Sequence, residues 1–286
     1  LVAYLFSLFF IWRFNLSDTE STLKHINSTL SQAVRTTLKG HDLILQGLGQ
    51  ELIEIGVLRR PELGRELIER MKKIDPGMAG FGLARPDGQL VLVSGIGPEK
   101  TLPNLMQREE ATKSFQKAID QGYLQTGRPY YFKALDNWVV PIRTPIRDSD
   151  GKLVAVMTAG YKLVNATTAW SDADLPTGVK TVLLGENGFP LFVQPLPKDD
   201  SNESFSRFFG EAVDVEQFDH FKTNLDEASF SKNKYVKGLA EKGHYISYDY
   251  IPEYDMHVVA LIESNTVIAK WLKRAVVPTI LFLLFI

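Results

Sequence analysis

Apolar positions change period several times along the chain, and each change marks an element. In 15–56 the spacing is helical. Leu16, Leu23, Leu30 and Ile44 share one heptad position, and Ile26 and Ala33 occupy another. This predicts a long helix with a narrow apolar seam. The seam can pack on its own domain or on a second copy. We expect pairing into a dimer stalk near the first apolar end and internal packing beyond Leu38, because Thr37 and Gly40 weaken the later heptads. A second amphipathic stretch, 61–74, opens on a proline suited to a first helical turn and stops before Asp75-Pro76.

From Met78 the period shortens to that of strands. Segments 81–85 and 89–94 flank Pro86-Asp87-Gly88, a hairpin turn. A helix over 107–121, apolar at Ala111, Phe115, Ala118 and Ile119, closes at Gly122. Strands follow at 123–132, 138–146 and 153–163, the last two joined by Asp148-Ser149-Asp150-Gly151. The pattern then returns more weakly. Segments 179–184 and 190–194 flank Glu186-Asn187-Gly188, a polar stretch with helical patches fills 197–230, and strands are expected at 234–239, 244–251 and 256–262. Two sheets of similar order on one stalk suggest a duplicated α+β module.

Both ends are uncharged and apolar, over 1–12 and 275–286. Each run is shorter than the roughly 20 residues a spanning helix needs, and we read both as parts of transmembrane spans. A signal-peptide core is the alternative for the first, but 13–27 shows no small-residue cleavage pattern and continues as helix. A buried helix is the alternative for the second, but its apolar residues occupy every face. The expected division is a partial span at 1–14, a stalk at 15–56, a membrane-distal module at 57–165, a membrane-proximal module at 166–263, and a connecting helix with a partial span at 264–286. This places about 15–274 outside the bacterial inner membrane. Lack of cysteine is compatible with export, since a full-sized core needs no disulfides. The balance of 32 basic against 34 acidic residues argues against a nucleic-acid surface.

The run from Trp138 through Pro141, Arg143, Pro145 and Asp148, then Asp150-Gly151-Lys152 to Gly160, resembles the end of a Cache domain, the PAS-like extracytoplasmic fold of bacterial receptors. The whole layout is similar to a double Cache domain, and 127–160 looks closest to sensors attached to diguanylate cyclases and cyclic-di-GMP phosphodiesterases. The resemblance implies a non-catalytic sensing region that relays binding of a small molecule to a cytoplasmic output domain. A chemoreceptor or histidine-kinase sensor is the alternative, as is a protein-interaction or mechanical sensing module without a ligand. It also implies a ligand pocket between the distal sheet and its covering helix. Relatives that bind amino acids carry an Arg-Pro-Trp-Tyr-like run, a Tyr and an Asp there. Tyr130 matches the Tyr, whereas the run falls near Thr112-Lys113-Ser114-Phe115 and the Asp at Gly160. Both charged anchors of an amino acid are therefore missing.

Candidate ligand-binding residues are Phe115, Arg128, Tyr130, Trp138, Arg143 and Thr158. On one strand over 123–132, Arg128, Tyr130 and Phe132 would share a face, and a guanidinium there suits a carboxylate or phosphate. A strand-edge Arg held by a surface carboxylate is the alternative for Arg128, and the one we favour. Trp138 and Arg143 lie an odd number of positions apart, so one faces the pocket and the other the stalk. We favour Trp138 as the lining residue. Phe115 reads as core before contact. Asp148-Ser149-Asp150-Gly151 begins like a calcium loop but lacks the closing Glu. The five histidines have no zinc-site spacing, and no nucleophile elbow or phosphate loop occurs. No catalytic group, cofactor or metal is expected.

Overall fold

The computed structural model describes residues 1–163, 175–186, 188–197, 199, 201–213, 231–233 and 243–284. Helix α1 runs unbroken over Val2–Glu54, followed by a 3-10 turn at Pro61–Gly64 and α2 at Arg65–Ile74. The first sheet contains β1 (Met78–Ala84), β2 (Leu90–Val93), β3 (Gln125–Thr126), β4 (Tyr130–Phe132), β5 (Asn137–Arg147) and β6 (Leu153–Lys162), with α3 (Glu109–Gln121) inserted after β2. The second contains β7 (Val179–Leu184), β8 (Pro190–Gln194), β9 (Ser231–Asn233), β10 (His244–Ile251) and β11 (Met256–Glu263), with α4 at Asn202–Gly210. Helix α5, Ser264–Leu284, ends the description. The strand expected at 234–239 lies outside the described residues, as does Asn187 of the expected second turn.

Both sheets are antiparallel and share one plan. The first is ordered β2-β1-β6-β5-β3 with β4 also on β5, and the second β8-β7-β11-β10-β9. In each, an initial hairpin lies against the last strand, which lies against the strand before it.

The first sheet is covered on both faces, so its strands read as near-continuous apolar runs. Val140, Ile142 and Ile146 of β5, with Met157 and Ala159 of β6, join Leu45, Leu48 and Leu52 of α1 in one core. Val139 and Val156, from the opposite face, join Ala111 and Phe115 of α3 and Tyr130 and Phe132 of β4 in another. Gly49 marks a close approach of α1 to the sheet, because a Cβ there would collide with Ile146 Cδ1 and lie 2.8 Å from Met157 Cγ. His41 of α1 adds a polar tie, with Nε2 2.8 Å from Asp75 Oδ2 and Nδ1 2.9 Å from the Tyr161 hydroxyl.

Against the second sheet and α5, α1 changes character. Its buried residues there include Asn15, Thr19, Asn27 and Ser31 beside Leu23 and Leu30. Asn27 Nδ2 donates to Ser247 Oγ at 2.9 Å, and Asn15 Nδ2 to the Val267 carbonyl at 3.0 Å. This corrects the expected dimer seam. Leu23 and Leu30 are already buried within the chain, because α1 lays one face along both sheets between Asn15 and Leu52.

The apolar ends lie side by side. Tyr4 stacks on Phe282 at 4.2 Å between centroids, and Trp12 meets Trp271 edge-on at 5.8 Å. Leu5, Phe6, Phe9 and Phe10 on one helix and Val277, Ile280, Leu281 and Leu283 on the other remain exposed. Among the described residues no helix is long and apolar enough to cross a membrane.

Candidate ligand site

Small side chains leave room on the face of the first sheet beneath α3. Gly82 and Thr158 stand opposite each other, as do Pro141 and Gly160. With Tyr130, Phe132 and Val139 they enclose a cavity of about 40 Å³ whose lining carries no acidic residue. That is space for a few water-sized groups. Arg108, just before α3, places its guanidinium 5.2 Å from the Tyr130 ring and 5.7 Å from that of Phe132, a cation–π lid over the aromatic wall.

Arg143 stands on the same face, opposite Thr158 and two residues along β5 from Pro141. It is fully buried. Nη1 donates to Ser114 Oγ of α3, while Nε and Nη2 have no hydrogen-bonding partner. Burial pushes its pKa down, and the neighbouring Tyr130 hydroxyl favours the charged form. A guanidinium nevertheless stays protonated in proteins. Gly127 makes room for it, because a Cβ there would come 2.5 Å from Ser114 Oγ and 2.9 Å from Nη1.

A larger cleft, about 350 Å³, opens between the two sheets. Ser114, Lys113 and Lys117 of α3 line one side, and Glu186, Phe189 and Tyr254 the other. Glu186 takes an ion pair from Lys117 and another from Lys113 at 3.6 Å, tying α3 to the β7–β8 turn.

These positions revise three sequence expectations. The strand expected over 123–132 is broken at Gly127-Arg128-Pro129, where Pro129 cannot donate to a ladder. Arg128 consequently leaves the Tyr130 face. It lines the cleft, pairs with Glu109 at 3.9 Å and lies over the Phe189 ring at 5.3 Å. Trp138 and Arg143 do face opposite ways, with the preferred assignment reversed. Trp138 points to the α1 side, where Nε1 donates to Asn202 Oδ1 at 2.8 Å and the ring lies 6.1 Å from Phe205 of α4. Arg143 takes the α3 side. Tyr130 and Thr158 line the cavity, whereas Phe115 is fully buried in the core beside it. The cleft was not foreseen. Lys113 and Lys117, one helical turn apart, were its available signal.

The two-sheet plan on one long helix is a fold shared with solved extracellular and ligand-binding domains of chemoreceptors and histidine kinases. The extracellular domain of rpHK1S-Z16, assigned as a histidine kinase, is similar over 90% of this chain and 99% of its own, with a TM-score of 0.66 and 18% identity. The ligand-binding domain of the Pseudomonas aeruginosa amino acid chemoreceptor PctB, solved with L-Arg, matches 87% of this chain and 97% of its own (TM-score 0.61, 17% identity). The sensor domain of the Vibrio cholerae histidine kinase DctB matches 88% and 98% (TM-score 0.54, 12% identity). No protein-family model matches the sequence, and no curated protein matches it significantly.

Proposed function

We propose that this chain is the extracytoplasmic sensing region of a bacterial transmembrane receptor, binding a small molecule between the first sheet and α3. The observation that carries this reading is the end-to-end likeness to solved sensor and ligand-binding domains, whose lengths are matched almost completely. Those relatives in fold belong to chemoreceptors and histidine kinases, which favours such an output over the cyclic-di-GMP enzyme suggested by the sequence. Exposed Phe6, Phe9, Phe10, Ile280 and Leu281 on the paired ends support anchoring in lipid. The first sheet then lies away from the membrane and the second next to it.

A homodimer through α1 would have to use the outer face, where Gly40, Leu43, Ile44 and Gly47 are not consumed by the sheets. A module without a small-molecule ligand is the second reading, favoured by the narrow cavity. Thermal-shift screening of the full chain in detergent against a broad metabolite panel separates the two. A ligand of the folded state raises the melting temperature with concentration, and uniform silence sinks the sensing proposal.

A further inference from the structure

Arg143 heads the fully buried side chains of the described residues in size. A cation in that position needs an acceptor, because a charge removed from water without a partner is strongly unfavourable. Ser114 supplies one neutral oxygen and the neighbouring Tyr130 hydroxyl another, but neither is an anion. The two nitrogens left over, Nε and Nη2, form one edge of the guanidinium fork, with two nearly parallel N–H bonds. That edge matches the two oxygens of a carboxylate. The adjacent cavity is small and apolar, its polar side chains being Tyr130 and Thr158, and it offers no acid to hold an ammonium.

Resting on the reading of the chain as a sensing region, we propose that the ligand is a short monocarboxylate without an ammonium group. Its oxygens sit on Nε–H and Nη2–H of Arg143, and its apolar tail lies over Gly82, Thr158 and Gly160. Ser114 and Gly127 touch Arg143 and also border the cleft between the sheets, so the approach to the guanidinium runs through that cleft, beneath α3. Binding there would supply the missing acceptor and press on the helix that Glu186 ties to the second sheet.

The test uses the full chain in detergent, with melting temperature and calorimetric titration as readouts. Four probes at matched ionic strength separate the chemistries: sodium propionate, neutral propionamide, L-alanine and sodium phosphate. Propionate is expected to raise the melting temperature saturably, while the other three leave it unchanged. Arg143→Met should abolish the propionate shift and melt, without ligand, at or above the wild type. Arg143→Lys keeps the charge but loses the fork, and should bind propionate at least tenfold more weakly; it serves also if the Met variant fails to fold. A propionate shift that survives in a folded Arg143→Met overturns the proposal. So does a response to alanine or phosphate in place of propionate, or a response confined to other compounds of a wider panel, with the sensing function left standing. Silence to the entire panel removes both.

Discussion

Asp75, His41 and Tyr161 draw three segments together through side chains alone. The His41 hydrogen bond, aided by the Gly77 and Met78 amides, holds the Asp75 carboxyl below its usual pKa, and burial pushes the Tyr161 hydroxyl up. A carboxyl more acidic in the folded state binds fewer protons there than in the unfolded chain. Its contribution is therefore complete above the unfolded value of about 3.9 and is lost as pH falls through the lowered one. Asp75→Asn should cost about 1 kcal/mol at neutral pH and flatten the acid limb of stability, as read from urea midpoints between about pH 5 and pH 2. Arg143 predicts the opposite sign. Replacing a buried cation held only by neutral oxygens by Met should raise ligand-free stability by about 1–4 kcal/mol in chemical denaturation. Alternation along β5 was enough to separate Arg143 from Trp138. It could not say which faced the cavity, because both faces of this sheet are covered and the flanking residues are apolar on each.

Among the elements, α1 was the most legible in extent and the least in partnership. Its apolar spacing suits a partner helix as well as a sheet, and only the tertiary fold decides between them. Two glycines on it should respond in opposite directions. Gly49→Ala overfills the contact with Ile146 and Met157 and should cost about 1–3 kcal/mol. Gly47 faces open space, so Gly47→Ala should gain roughly 0.5–1 kcal/mol through helix propensity. Thermal denaturation of the pair reads both, and equal effects would contradict the placement of α1. The break between β3 and β4 was available from Pro129. The α3 helix and its stop at Gly122 were legible because an αL glycine, here at φ 77°, ends a helix by a local rule.

At the scale of the molecule, the repeated strand order was foreseen from hairpin signals, but the junction between the sheets was not, since it is made by residues far apart in sequence. Trp138 belongs to that junction through Asn202 and Phe205. Trp138→Ala should therefore cost about 1–3 kcal/mol, below the range of a fully buried Trp, and broaden or split the calorimetric unfolding transition. Ligand affinity should stay within a few-fold of the wild type; a selective loss of binding would return Trp138 to the ligand site.

The grip on α1 is uneven. Near Gly49 the helix is keyed into the first sheet, whereas the stretch facing the second sheet and α5 buries Asn15, Thr19, Asn27 and Ser31, with Asn27 bonded to Ser247 of β10 and Asn15 to the Val267 carbonyl of α5. A rod of 53 residues is about 80 Å long at 1.5 Å per residue. Held near Gly49, it behaves as a pointer: the far tip lies about 70 Å from that contact at the same rise per residue, so a tilt of about 5° there sweeps it through about 6 Å.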